Sequence, residues 1–322
     1  MAQPTYTSQH YDTVLSNISV AYIQDPANYI ARQIFPIVGV EKQSGIYFTY
    51  DKDAWLRDEA KKRAPGTESA GSGYKTSQDN YFCDVWALHK DVDEQVIANA
   101  TPPLDPKGDA ARYIASRLLL SQELDFANTY FKAGVWANDF TGVAASPTGN
   151  QFIQFNDYTN SDPILAVDTM KETVSSKTGF EVNTMVMGKL VWNQLKNHPD
   201  ILDRVKYTDA RAITTDILAR YFEVDRVIVA KGLVNTAKEG AAASTSYIYG
   251  KGLFMCYSAP SAGLLNPSAG YTFSWNGYDG MMAATSELPM PLIKSTRIET
   301  EAAWVNKVVA PDLGVFAASV VA

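Results

Sequence analysis

Few residues in this chain stand where chemistry would need them. The three histidines, His10, His89 and His198, are far apart and sit in no ligand motif, so each reads as structural or solvated. The HExxH pattern of zinc hydrolases, the GxSxG turn that exposes a nucleophilic serine and the GxxxxGK[ST] phosphate loop are all absent. Asp91, Asp93 and Glu94 lie close together, but a hard cation takes several converging oxygens, and a solvated loop edge is the simpler reading. A soluble hydrolase would have to use carboxylates such as Asp91 and Glu94, and no nucleophile–base pair or metal motif accompanies them. Cys83 and Cys256 are too few for a disulfide framework, and each falls in an apolar strand-like run where a buried free thiol is expected. Gly71-Ser72-Gly73 precedes a strand, not a helix, and reads as a flexible turn without a phosphate-holding helix end. The expectation is a chain with no catalytic residue, no cofactor and no metal site.

One segment has a chemistry of a different kind. Residues 57–73, RDEAKKRAPGTESAGSG, carry four basic and three acidic side chains and a Pro-Gly break. Such a stretch buries too little apolar surface to offset the entropy of being ordered. On either side are strand-like arms, Gly45 to Tyr50 and Tyr74 to Trp86, rich in aromatic and β-branched residues. A long hairpin with a charged, adaptable end is suited to reaching onto a neighbouring molecule. Lys61-Lys62-Arg63 by itself would suggest nucleic acid. Acidic Asp58, Glu59 and Glu68 surround it, so these residues and Arg57, seven charged side chains in all, are read as candidates for intersubunit ion pairs.

The bulk composition leads to the expectation of a soluble product made in a cytosol. The chain has 322 residues, 46% hydrophobic and 20% charged, enough for a sizeable core in one elaborate domain or two ordinary ones. No stretch approaches the roughly 20 apolar residues of a bilayer span, and the opening MAQPTYTSQHYDT has neither the basic nor the apolar region of a signal peptide. A formal charge of −7 argues against a dedicated nucleic-acid reader. It leaves room for a protein that encloses nucleic acid, since a container wall needs only weak contact with its contents.

The elements follow from periodicity. Residues 1–33 read as a polar arm with apolar spots at Val14, Leu15, Ile18, Val20, Tyr22 and Ile23, and Asp25-Pro26 marks a turn or helix start. Ile34 to Val40 reads as extended. The clearest helix starts at the Asp105-Pro106 cap and runs to about 132, with Tyr113, Leu120, Leu124, Ala127 and Phe131 near the 3.6-residue period and Ile114 and Leu118 beside them. Its length would be roughly 40 Å. Residues 138–160 read as a loop with one short strand. Ser161-Asp162-Pro163 starts another helix, Val182 to Met187 is a buried strand, and helical patterns follow at 189–197, 199–206 and 210–221. Val224 to Ala230, Tyr247 to Tyr257 and Tyr271 to Trp275 read as strands and 232–245 as a loop. Leu292 to Val320 is expected to form two strands around a turn at Ala310-Pro311-Asp312.

This order of elements resembles the tailed-bacteriophage major capsid proteins of the Hong Kong 97 type. The resemblance is carried by Ile34-Phe35-Pro36-Ile37-Val38, the hairpin with its Arg63-Ala64-Pro65-Gly66 tip, the helix at about 106–132, the strand–helix run Asn183 to Asp200 and the C-terminal strands. It implies an α+β fold with an N-terminal arm and lead-in strand at 1–43 and an extended hairpin loop at 44–92. It also implies a peripheral domain with a spine helix at 93–160 and 258–322, and an axial domain at 161–257. The implied function is a shell subunit forming hexamers and pentamers of an icosahedral or elongated head around double-stranded DNA, located in the virion and assembled in the bacterial cytoplasm. An encapsulin-like compartment shares the fold and is the alternative. Implied partners are further copies of the chain, a separate scaffolding protein (only some thirty residues precede the lead-in), a portal protein, a decoration protein and the packaged DNA through non-specific contact; no membrane is implied. Some relatives crosslink a hairpin Lys to an Asn on a neighbour; Lys61, Lys62 and Asn306 are available for this, but no crosslink is assigned.

Overall fold

Runs of β-branched and aromatic residues become strands, and most of them pair with partners far away in the chain. A computed structural model describes residues 24–322 with the exception of 51, 102–103, 206–212, 264, 278–279 and 281–283. The expected N-terminal arm up to residue 23, with His10, lies outside the described residues, as does the start of the helical pattern at 210.

The first half of the chain contains α1 (Ala31–Ile34), β1 (Ile37–Val40), β2 (Ser44–Tyr50), α2 (Lys52–Trp55), β3 (Thr76–Phe82), β4 (Asp84–Asp93), α3 (Glu94–Asn99) and α4 (Pro106–Tyr130). Then come β5 (Asn138–Val143), β6 (Gln151–Ile153), α5 (Pro163–Thr178), β7 (Thr184–Gly188), α6 (Lys189–Leu195), α7 (Pro199–Val205), α8 (Thr215–Tyr221) and β8 (Arg226–Ala230). The remaining strands are β9 (Leu233–Asn235), β10 (Thr245–Tyr247), β11 (Leu253–Cys256), β12 (Gly270–Trp275), β13 (Ala284–Met290), β14 (Ser295–Val308) and β15 (Gly314–Ala318). The fold is α+β.

A six-stranded mixed sheet runs in the order β6-β5-β15-β11-β7-β8. Its central strands β7 and β11 are buried along their whole length, as expected for strands covered on both faces. Alternate residues serve opposite faces. Met185, Met187, Leu253 and Met255 meet Val167, Met170 and Val174 of α5, Val191 and Leu195 of α6 and Leu218 of α8. Val186, Phe254 and Cys256 point the other way, toward Phe126 and Tyr130 of α4 and Phe35. Asp162 caps α5 by accepting from the Ile164 and Leu165 amides, and Gly179, at φ +73°, ends it.

The second sheet runs β1-β12-β14-β13, with β4 also paired to β14. The N-terminal half of α4 lies on it: Ala110 and Ile114 meet Val92 and Ile298, and Leu118 meets Ala302 and Trp304. The 25 residues of α4, about 37 Å of helix, thus run from one sheet to the other.

Several expectations need correction. The buried stripe of α4 keeps the expected Ile114, Leu118 and Ala127 and adds Ala110, Phe126 and Tyr130 with the polar Gln122 and Glu123, while Tyr113 is exposed; the helix has to face two sheets, and its own periodicity does not specify that direction. Asp105 makes no side-chain cap. Residues 138–160 contain two strands, and β9 and β10 form a small hairpin across the expected loop at 232–245. The strand at 247–257 narrows to Leu253–Cys256, because Gly250 adopts φ +48°. The C-terminal strands do not pair with each other: β14 joins β12, β13 and β4, whereas β15 lies between β11 and β5. β13 contains Pro289 and was not anticipated, since proline interrupts a strand pattern. The six-stranded sheet also takes β5, β6 and β15 from segments assigned to a peripheral domain, so it crosses the expected boundaries at 160 and 258.

Candidate assembly interface

The hairpin is built by alternation. β2 and β3 pair antiparallel in register from Ser44↔Phe82 to Tyr50↔Thr76. One face seats the hairpin on its own subunit: Tyr81 stacks on Phe273 of β12 with ring centroids 4.6 Å apart, and Tyr47 contacts the same ring at 5.6 Å. The Tyr47 hydroxyl donates to its cross-strand partner Asp79 at 2.7 Å. Burial and that bond raise the Tyr47 pKa, and the same bond lowers that of Asp79. Farther out, Lys52 pairs with Asp312, and Tyr50, Trp55 and Tyr74 form an aromatic trio with centroids 5.7–6.4 Å apart.

The opposite face is uncovered, with Ile46, Phe48 and Phe82 beside the polar Gln78 and Asn80. Ile46 is 61% exposed, Phe48 54% and Phe82 53%, with Trp55 and Leu56 also exposed nearby. A two-stranded hairpin is marginal by itself, and a face of this kind is unusual for a subunit that works alone. These residues were not among the expected contacts, although the alternation of Gly45-Ile46-Tyr47-Phe48-Thr49-Tyr50 carries the signal. The expected hairpin at 44–92 also divides at Cys83. That residue is fully buried, its amide donates to the Gln43 carbonyl at 2.8 Å, and β4 beyond it belongs to the second sheet.

The seven charged residues are gathered at the tip. Glu59 is half-buried and the other six are exposed. Arg57 pairs with Glu59 at 3.2 Å, and hydrogen bonds from Ser72 and Arg57 lower the Glu59 pKa. Arg63 donates from Nε to the Thr67 carbonyl, closing the Pro-Gly turn. Among the described residues, Asp58, Lys61, Lys62 and Glu68 form no ion pair within 4.0 Å.

Behind the hairpin, α1 is held at both ends. The buried Glu123 carboxylate accepts from the Ile30 amide at 2.9 and 3.0 Å, the Ala31 amide at 2.8 Å and the Tyr249 hydroxyl at 2.7 Å. Burial raises its pKa, outweighing these donors. Arg226 donates to the Gln33 and Ile34 carbonyls at 2.8 and 2.9 Å, and Ser258 donates to Ile34 at 2.6 Å. This clamp fixes the lead-in to β1 and was not read from the sequence, where Glu123 is one acid in a long helix.

The residues weighed for chemistry have structural partners. Asp91 receives both Nε and Nη2 of Arg297, its partner across β4 and β14, at 2.8 and 3.0 Å. It lies on a strand and not on the expected loop edge. Asp93 caps α3 and Glu94 opens that helix. Asn306 is buried, accepting from Thr272 and donating to Asp125 at 2.8 Å each. His198 is buried: its Nδ1 accepts from the Asp200 amide, which leaves Nε2–H to donate to Ser161 Oγ at 2.9 Å. Burial lowers the His198 pKa. Cys83 and Cys256 are buried free thiols. Among the described residues, no group of His, Cys, Asp and Glu is placed to hold a metal, and no helix is long and apolar enough to cross a membrane.

No family model matches the chain. The major capsid protein of Burkholderia phage BcepMu is 23% identical over 296 residues, covering 89% of this chain and 91% of that protein. A phage-related protein from Bordetella bronchiseptica superposes with a TM-score of 0.69 at 21% identity, over 92% of this chain and 94% of the other. The capsid structure of cyanophage P-SCSP1u gives a TM-score of 0.65 at 11% identity, over 98% and 95%. Helices, sheets and hairpin together give the chain the Hong Kong 97-type capsid fold.

Proposed function

We propose that this chain is a phage major capsid protein that assembles with its own copies into hexamers and pentamers of an icosahedral or elongated head around double-stranded DNA. The observation that carries this reading is coverage: the likeness to a capsid subunit extends over 98% of the chain, hairpin included. The role is structural, not enzymatic, and the place of the protein is the virion, after assembly in the host cytoplasm. A scaffolding protein, a portal and a decoration protein are the further partners this reading carries. In domain terms, 1–43 is the arm and lead-in, the hairpin loop ends near Cys83, and the peripheral and axial parts share α4 as their spine.

Assembly follows from the hairpin. Its uncovered face and charged tip lie across an adjacent copy, where Arg57, Asp58, Glu59, Lys61, Lys62, Arg63 and Glu68 meet opposite charges. Each exposed pair contributes only about 0–1 kcal/mol. Every subunit is held by several neighbours at once, so weak contacts add up in a closed shell, and misplaced subunits still leave before closure. Negative-stain electron microscopy with sedimentation velocity tests the reading. Shells or capsomer rings, alone or with a co-expressed scaffold, are expected. A small species under both conditions overturns the proposal, and particles filled with an enzyme instead of DNA make the chain an encapsulin-like compartment.

A further inference from the structure

An acidic chain places three lysines together at one end of its six-stranded sheet. β7 and β8 pair in parallel with Gly188 beside Ala230, so Lys189 and Lys231, the next residues of each, leave the sheet side by side. Adjacent strands are about 4.8 Å apart. Lys189 begins α6 and Lys196 follows its last residue. Seven residues are two helical turns, which puts both lysines on one face about 10 Å apart.

This cluster has no internal reason to be positive. Among the described residues, none of the three ammonium groups has an ion pair within 4.0 Å. The first turn of α6 holds no acid, and a cation at that position opposes the helix dipole. Burial and the fields of Lys231 and Lys196 lower the pKa of the Lys189 ammonium. Three like charges with no ion pair among the described residues, in a chain of net charge −7, are a local conflict of the kind that marks a binding surface.

We infer that Lys189, Lys196 and Lys231 form a contact for the phosphate backbone of double-stranded DNA. The inference rests on the proposed function, in which DNA is the enclosed polyanion, and it assigns that weak contact a place. Lysine is suited to it: a point charge on a flexible stem reaches phosphates without requiring a base sequence or one geometry. Three contacts make a weak, salt-sensitive site, which lets DNA move along the wall during filling.

The test uses the unassembled full-length subunit and a short mixed-sequence duplex, with binding followed by fluorescence anisotropy across a salt titration. Three phosphate contacts contribute a slope of roughly −2.7 in log affinity against log salt. The combined Lys189→Ala, Lys196→Ala and Lys231→Ala variant should lose that portion of the slope. The three Lys→Arg replacements should retain it, and alanines at Lys42, Lys75 and Lys132 should leave it nearly unchanged. An unaltered slope in the first variant overturns the inference, as does an equal loss in the control. Circular dichroism checks that each variant is folded, and electron microscopy of the unaltered protein separates the two readings: shells from a protein whose slope the alanine variant leaves unaltered sink only this inference, while a slope lost in that variant, with no shells from the unaltered protein, sinks only the capsid reading.

Discussion

Glu123 and Arg226 grip opposite ends of the same helical turn. Glu123, from α4, accepts the amides that open α1, and Arg226, from β8, donates to the carbonyls that close it. Each charge has the sign that the helix dipole favours at its end. The spine helix and the six-stranded sheet are therefore joined through the lead-in, so a shift of either one is felt at β1.

Removing one grip should destabilise the subunit. Glu123→Ala leaves two amides and the Tyr249 hydroxyl buried without their acceptor, and each such group costs about 1–3 kcal/mol. A total loss of about 3 kcal/mol is expected in urea denaturation. A change below about 0.5 kcal/mol, the range of ordinary surface substitutions, would show that the clamp is incidental.

The same carboxyl gives stability a pH dependence. Its native pKa lies above the ordinary 4.5 because of burial. As pH rises from about 4.5 the unfolded chain ionises first, so this contribution to stability falls until the native group ionises as well. Glu123→Gln should flatten that decline in denaturation curves recorded over the window.

His198 works with the opposite sign. Burial outweighs the nearby Asp200 and Asp162 carboxylates and holds its native pKa below 6.5. Its contribution is complete above pH 6.5 and is lost as pH falls through the native value, because the unfolded chain takes up its proton first. Replacing it with Gln should remove this acid slope from the stability profile.

The hairpin should separate folding from assembly. Deleting residues 57–70 is expected to leave a folded subunit, since the tip is exposed, that builds no stable shells in the electron microscope. Normal particles from the deletion refute the hairpin's role. Tyr81→Ala removes the stack on Phe273, worth about 0.5–1.5 kcal/mol beyond buried area; faster proteolysis of the hairpin is expected, with little change in global unfolding.

The two thiols should be silent. Burial pushes Cys83 up to about 11 and Cys256 higher still, and thiolate is the reactive form. Neither should react with a thiol reagent at neutral pH before denaturant is added; rapid native labelling of either contradicts its burial.

The sequence by itself determined what short-range patterns encode. The Asp162-Pro163 cap and Gly179 stop bounded α5, the apolar runs located β7, β8 and β12, and the charged tip between aromatic arms marked the hairpin and its seven charged contact candidates. These signals depend on residues a few positions apart, so they survive in a single chain. Only the tertiary structure decided which strands pair. β14 and β15 follow one another yet enter different sheets, because pairing is settled by long-range burial and not by either strand's own pattern. It also decided which face of α4 turns inward, that Glu123 clamps α1 and that Asn306 is buried. A lone acid or amide becomes an anchor only when folding removes its water and brings a partner from ninety or more residues away.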